Sequence, residues 1–238
     1  MSELLYYEDS YIKKFEAKVT SVDSSPESVK ITLDRTAFYP GGGGQPNDEG
    51  WMTLHDRRLR ILKVDRNGHW LEPEEGVSFA VGQTAGFELD WDRRFTLMRT
   101  HTALHVLSGV VWRDYGASVT GGSMDLAKGR LDFEFEKMNK DLVQEIEGKC
   151  NEEVKAAREV RTQFLPRDEA MKIPDLIRTK VNLIPESVKK IRTVEIVGLD
   201  LQADGGTHVA NTQEVGEIRV VDYKSKGAIN KRIYIEIL

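Results

Sequence analysis

A single cysteine, Cys150, in 238 residues rules out an internal disulfide framework, and with it the stapled folds of small secreted proteins. Long apolar runs are missing too. No stretch approaches the roughly eighteen apolar residues of a membrane-spanning helix. The start, MSELLYYEDS, is acidic and aromatic with no basic flank before an apolar run, so it does not read as a signal peptide. Positive charge is scarce: 34 Lys and Arg stand against 39 Asp and Glu, a net charge of −5. That balance excludes a strongly basic nucleic-acid binder but leaves room for a local basic face. GxSxG is absent, and Cys150 has no motif beside it, so nothing reads as a nucleophile with its own base. The expectation is a reducing, cytoplasmic setting, with no membrane contact and no obligate protein partner.

What is present suffices for a core. Apolar residues make up 39% of a chain long enough for one large domain or two small ones. The first ninety residues read as short strands punctuated by Gly, Pro or Asn: FEAKVTSVD, VKITLDRTAFY, WMTLHD, LRILKVD, HWLEP and GVSFAVGQTAGFELD. Such spacing suggests a small barrel or sandwich. In VKITLDRTAFY, Val29, Ile31 and Leu33 share one face, and SSPES before it is a turn. The pattern changes near Asp90. DWDRRFTLMRTHTALHVLSGVVWRDYG reads as a helix with Asp92 as N-cap and Gly116 at its end. Leu97, His101, Leu104, His105 and Ser108 fall on one side of it. A second helix runs through NKDLVQEIEGKCNEEVKAAREV, where Leu142, Ile146, Cys150, Val154 and Ala157 repeat at helical spacing and Cys150 is a core residue. VRTQFLP returns to strand, PRDEAMKI and PDLIR are short helical or turn segments, and IRTVEIVGL, EIRVVDYKS and KRIYIEIL are strands. The second half is therefore α+β, a long helix pair against an antiparallel sheet. The boundary is placed at residue 90, giving domains 1–90 and 91–238.

The chain has only five histidines, and two of them form HTALH. Residues four apart on a helix stack on one face, so the imidazoles of His101 and His105 can share a metal ion. The same pattern also fits two polar residues flanking a core stripe. A metalloprotease helix needs Glu directly after the first His, and position 102 is Thr. In QADGGTHVANT, Asp204 and His208 lie four apart around two glycines. That stretch reads either as a ligand pair on a tight turn or as an ordinary Gly-Gly hairpin. GGGGQP fails as a nucleotide-phosphate loop because no Lys-Ser/Thr pair follows, and no use of ATP is expected.

Taken together, TAFYPGGGGQPNDEG, RRFTLMRTHTALHVL, DGGTHVANT and KGAINKRI resemble, in this order and over most of the chain, the editing domain of alanyl-tRNA synthetase. The resemblance is closer to the free-standing alanyl-tRNA editing proteins of medium length. It implies a β-barrel-like N-terminal subdomain followed by an α+β editing domain. It implies hydrolysis of the ester joining serine or glycine to tRNA(Ala), with Zn2+ as cofactor. The positions that match the family's metal ligands are His101, His105, Asp204 and His208. The family has Cys where this chain has Asp204. A thiolate is the softer and stronger zinc ligand, so the fourth position is either a weak carboxylate ligand or a water.

With no such nucleophile in the sequence, direct attack by water is expected, without a covalent intermediate. Zinc either lowers the pKa of that water or binds the substrate's α-amino group. Thr36, just before FYP, would hydrogen-bond the seryl hydroxyl, since a bond to that hydroxyl selects serine over alanine. Gln45 would donate to the ester carbonyl or a ribose hydroxyl. Thr207 would orient His208 or the water, and VTGGS, with its Gly-Gly turn, would line the pocket. Gly42, Gly43 and Gly44, with Gly41 before them, would form a wall without side chains whose N–H groups face the terminal adenosine. Basic residues for tRNA are Lys224, Lys226, Lys231 and Arg232 near the end, Arg93, Arg94 and Arg99 on the metal helix, and Lys128 and Arg130. The expected partner is the tRNA(Ala) acceptor end carrying serine or glycine. Two competing readings are a tRNA-binding module of the same fold with weakened chemistry and a zinc hydrolase of another small ester or amide.

Overall fold

Val29, Ile31 and Leu33 alternate with polar neighbours, and all three are buried. The same alternation recurs along the first third of the chain and closes a barrel. The computed structural model describes residues 2–177 and 184–238. They fall into two compact units, Met1–Thr96 and Leu97–Leu238.

In the first unit the strands are β1 Glu3–Leu4, β2 Lys14–Ser24, β3 Val29–Leu33, β4 Arg35–Thr36, β5 Gly50–Leu54, β6 Arg57–Asp65, β7 Gly68–Leu71 and β8 Thr84–Leu89. Six of them close an antiparallel barrel in the order β2-β3-β7-β6-β5-β8. Closure leaves no strand edge among these six unpaired. The interior is filled by Val19, Ile31, Leu33, Phe38, Met52, Ile61 and Phe87, all nearly inaccessible.

Two expectations need correction. VKITLDRTAFY is not one strand. The Asp34 carboxylate accepts from the Lys18 and Arg35 amides at 2.8 and 2.9 Å, and the chain leaves the ladder there. β4 pairs instead with β1, in parallel. Of GVSFAVGQTAGFELD only Thr84–Leu89 is strand; Gly76 and Gly82, at φ +75° and +88°, make turns before it.

Helix α1, Trp91–Tyr115, begins in the first unit and continues into the second. Its cap is Asp90, not Asp92: the Arg93 amide donates to Asp90 Oδ1 at 3.3 Å and the Arg94 amide to the Asp90 carbonyl at 2.9 Å. Gly116, at φ +63°, ends it as expected. The expected one-sided stripe is wider, because Leu97, Met98 and nearly every residue from Thr100 to Val111 are buried. Such a helix is enclosed on all sides rather than amphipathic.

The second unit continues with β9 Val119–Asp125, β10 Lys128–Glu134, α2 Lys140–Lys155, β11 Val160–Pro166, α3 Arg167–Ala170, β12 Lys190–Ile196, β13 Asp200–Ala203, β14 Ile218–Ser225 and β15 Asn230–Ile237. One sheet runs β14-β15-β10-β9 and the other β11-β12-β13, both antiparallel. VTGGS is therefore strand, not turn. Gly121 and Gly122 face Asp132 and Leu131 across the ladder, and the hairpin turns later, with Ala127 at φ +57°. The helix pair meets through Lys149, 3.2 Å from Asp114, and through the Tyr115 hydroxyl, which donates to Glu145 at 3.0 Å. On α2 the buried set includes Val143, Ile146, Cys150 and Val154. Val143 takes the place expected for Leu142, and Ala157 lies exposed beyond the helix at φ +51°. PDLIR is turn as far as its last residue, Arg178, which lies outside the described residues.

The start of β13 packs closely on α1. A Cβ at Gly109 would lie 2.9 Å from Leu199 Cγ and 3.0 Å from Asp200 Cβ, so only a glycine lets β13 settle there.

Candidate metal centre and glycine loop

On α1, His101 and His105 stack one turn apart, their ring centroids separated by 5.1 Å. The turn after β13 brings Asp204 and His208 to them. The His208 ring lies 4.2 Å from that of His101 and 4.7 Å from that of His105. One ligand atom from each of His101, His105, Asp204 and His208 falls within 4.8 Å of all the others. Donors of a tetrahedral site with bonds of about 2.0–2.1 Å sit roughly 3.3 Å apart, so the set fits a single ion after small adjustments. The Asp204 carboxylate supplies the fourth donor atom of the group.

Each donor is held by a group of its own. His105 Nδ1 is 3.1 Å from Asp200 Oδ2, which also accepts from Gln202 Nε2 at 2.7 Å. His208 Nδ1 is 3.1 Å from Thr102 Oγ1. His101 bonds the Thr207 backbone. Asp204 Oδ2 accepts from the Gly206 amide at 2.6 Å. Buried Arg192 donates to the Asp204 and Gly206 carbonyls at 3.1 and 2.9 Å, holding the turn closed. Such outer partners fix ring orientation and raise donor strength.

Charge suits the same purpose. Burial pushes His101 down to about 4. Burial and the neighbouring His101 take His208 well below the ordinary histidine range. Burial alone would raise Asp204, but the imidazoles around it, His101 first, hold its carboxyl well below the usual range. Near neutral pH His101 and His208 are therefore neutral and Asp204 is ionised, the protonation states a divalent cation requires of them.

The other conspicuous stretch belongs to the first unit. Gly42 and Gln45 exchange both backbone hydrogen bonds, at 3.0 Å each, around Gly43 and Gly44. Gly41 to Gly44 have φ of +81°, +131°, +59° and +92°. Four successive positive φ angles explain the four glycines, because other residues are strained there. The wall expected from them is modified in one respect: the Gly42 N–H is engaged inside the hairpin. The loop rises from a fixed neck. Tyr39 and Asp48 pair through the Asp48 amide, at 3.0 Å from the Tyr39 carbonyl, and the Tyr39 amide, at 2.6 Å from Asp48 Oδ2. Arg94, fully buried, donates to Asp48 Oδ1 and Oδ2 and to the carbonyls of Ser10 and Ala37. Arg93 donates twice to the Asn47 carbonyl.

Thr36 is buried on β4. Its Oγ1 accepts from the Phe38 amide at 3.1 Å and lies 2.9 Å from His69 Nε2. Burial pushes His69 down to about 4. Gln45 is also buried. Thr36 and Gln45 thus come from the first unit, and Thr207 from the second beside the metal cluster.

The basic residues divide. Arg93 and Arg94 are bound up in the loop neck. Arg99 donates to the carbonyls of Glu214, Val215 and Leu238. Lys231 is buried, its Nζ on the Gly227 and Ala228 carbonyls at 2.8 Å. Arg232 forms a two-pronged pair with Asp132, and Lys226 is exposed. Thr102, Arg192, Asp200 and Gln202 were not singled out in sequence as supports of the site. A signal exists for three: Thr102 sits inside HTALH, and Asp200 and Gln202 alternate on one strand face just before DGGTH. Nothing local marks Arg192.

Known proteins share these stretches. Residues 191–234 match the threonyl and alanyl tRNA synthetase second additional domain. Over its full length the chain is 39% identical to the alanyl-tRNA editing protein AlaX-M of Saccharolobus solfataricus, covering 99% of that protein. It is 34% identical to the AlaX-M protein of Methanosarcina barkeri, covering all of it. This chain belongs to the AlaX-M family of alanyl-tRNA editing proteins. It also matches alanine–tRNA ligase of Thermococcus kodakarensis at 36% identity, across 91% of this chain and 24% of the ligase.

Proposed function

We propose that this AlaX-M family member hydrolyses the ester of Ser-tRNA(Ala) and of Gly-tRNA(Ala), with zinc held by His101, His105, Asp204 and His208. Family membership makes it a hydrolase that deacylates mischarged tRNA(Ala). The observation that carries the finer reading is the closed four-donor cluster, preset in charge and backed by an outer partner for every ligand. A module that had lost its chemistry would have no use for such a cluster. When bound, zinc supplies positive charge at which a water or the substrate's α-amino group is held.

The chain's own groups account for selection. A threonine hydroxyl has one donor and two acceptor sites. Phe38 and His69 use two of the three at Thr36, and the third is assigned to the seryl hydroxyl. Serine and alanine are then told apart by a hydrogen bond rather than by size. Gln45, at the base of the glycine hairpin, donates to the ester carbonyl or a ribose hydroxyl. The N–H groups of Gly43 and Gly44 face the terminal nucleotide. Thr207 acts through His101, to which its backbone is bonded. Of the basic residues, Lys226 and Arg232 are assigned to tRNA phosphates, whereas Arg99 and Lys231 serve the fold. The residue 1–90 segment is the barrel-like subdomain and 91–238 the editing domain. The setting is cytoplasmic, where charged tRNA is used.

The test is deacylation of seryl-, glycyl- and alanyl-tRNA(Ala), with and without a chelator. Cleavage of the first two, sparing of the third and loss on chelation are expected. Binding of tRNA without any deacylation would leave the module reading, and cleavage indifferent to chelation would remove zinc from the function.

A further inference from the structure

We propose that Thr102 is a positioning residue whose hydroxyl aims His208 at the metal. The proposal rests on the zinc assignment of the four-donor cluster. Thr102 occupies the position after the first histidine of HTALH, where a metalloprotease helix carries its catalytic Glu. The side chain is fully buried, so water does not compete for its oxygen. Oγ1 accepts from the Val209 amide at 3.2 Å and lies 3.1 Å from His208 Nδ1. A single hydroxyl on the helix therefore holds both the ring of His208 and the backbone directly after it. It ties the DGGTH turn to α1 across 106 positions of sequence.

The chemistry sets the direction of the bond. For His208 Nε2 to offer its lone pair to a metal, the ring proton must sit on Nδ1. Thr102 Oγ1 is the acceptor within reach of that proton. In that tautomer the oxygen accepts from both Nδ1–H and the Val209 N–H, which leaves Nε2, 3.1 Å from Asp204 Oδ2, for the metal. Asp200 Oδ2, 3.1 Å from His105 Nδ1, does the same for His105. The two histidines are thus fixed by different chemistries, one by a carboxylate and one by a neutral hydroxyl. The hydroxyl also secures the turn, through the Val209 amide.

The experiment is metal affinity by competition with a chromophoric chelator, for the full chain and for Thr102→Val, Thr102→Ala and Thr102→Ser. Loss of the hydroxyl is expected to weaken zinc binding about 10–100-fold, as for other outer-shell partners, while Ser stays near wild type. Proton NMR of the zinc-loaded chain should show an exchange-protected imidazole N–H from His208 that is missing in the Val variant. Circular dichroism of the metal-free proteins checks that each variant folds. Undiminished affinity in both Val and Ala variants would overturn the proposal, and so would a Ser variant as weak as Val, which would mean packing alone. A wild-type chain that takes up no zinc would instead bring down the metal reading and this inference with it.

Discussion

Replacing Arg94 by Met should loosen the barrel unit more than any surface change. The guanidinium and the Asp48 carboxylate are 0% and 1% exposed, so solvent screening does not reduce their interaction. Removing the cation leaves a buried carboxylate with the Tyr39 amide but no counter-charge, and takes a donor from the Ser10 and Ala37 carbonyls. Breaking a buried pair from one side costs about 3–5 kcal/mol. Part of that loss overlaps with the orphaned carbonyls, so the terms do not add. Met nearly matches the volume of the aliphatic stem, which isolates the charge. The assay is urea unfolding followed by tryptophan fluorescence, which reports chiefly on this unit because Trp51, Trp70 and Trp91 of the four tryptophans lie in it. The double variant Arg94→Met with Asp48→Leu should recover much of the loss, because an apolar pair of similar volume often substitutes for a buried ion pair. A single-variant loss below about 1 kcal/mol, the scale of a surface pair, would refute the reasoning. So would a double variant as unstable as the sum of the two singles. The loop neck predicts a second consequence. Tyr39 and Asp48 hold the base of the glycine hairpin, so Arg94→Met should lower deacylation even where the protein remains folded.

Gly43→Val places a branched side chain at φ +59° in open space, so it should cost about 1–2 kcal/mol of backbone strain and reduce deacylation while leaving zinc content unchanged; zinc loss would show that the loop and the metal site are coupled. Lys226→Glu should weaken tRNA binding and reduce its salt slope by about one unit in a salt titration of affinity, whereas Lys231→Met should lower thermal stability instead; equal effects on binding from both would remove the distinction drawn between them. Burial alone would raise Glu153, but hydrogen bonds from Arg158 and Arg113 outweigh it and hold the carboxyl below its ordinary range. Its contribution is therefore present above the ordinary carboxylate pKa and is lost as pH falls through the lowered folded value. Melting temperature should drop on acidification less steeply in Glu153→Gln than in wild type, and parallel curves would discount the pair.

What could be read from sequence alone was what repeats locally. Strand alternation exposed the barrel residues Val29, Ile31 and Leu33, and helical spacing brought His101 and His105 onto one face. The glycine after α1 marked its end. Among the elements that escaped are β9 and β13, whose pattern is broken: two glycines interrupt β9, and β13 spans only Asp200–Ala203. Asp90 escaped as the cap because Asp92, two residues on, carries the same cue.

The glycine run shows a different limit. Its composition suggested a need for bare backbone, and the positive φ angles give a local reason for that need. That reason does not depend on substrate. The neck that makes the hairpin useful joins Tyr39, Asp48 and Arg94, separated by up to 55 positions, and no short window contains it. The candidate metal cluster follows the same rule. Two of its ligands are one helical turn apart and two are one tight turn apart, so each pair is visible alone. Joining the pairs depends on Thr102 reaching His208, Asp200 reaching His105 and a glycine at 109 letting β13 approach the helix. Asp204 is the instructive case. Read as a residue type it looked like a weakened ligand, because a thiolate binds zinc more strongly. Read in place it is anchored by the Gly206 amide and the Arg192-braced turn, and held ionised by the histidines it faces. For a metal held by this set, affinity would depend on how rigidly each donor is held as well as on which atom it offers.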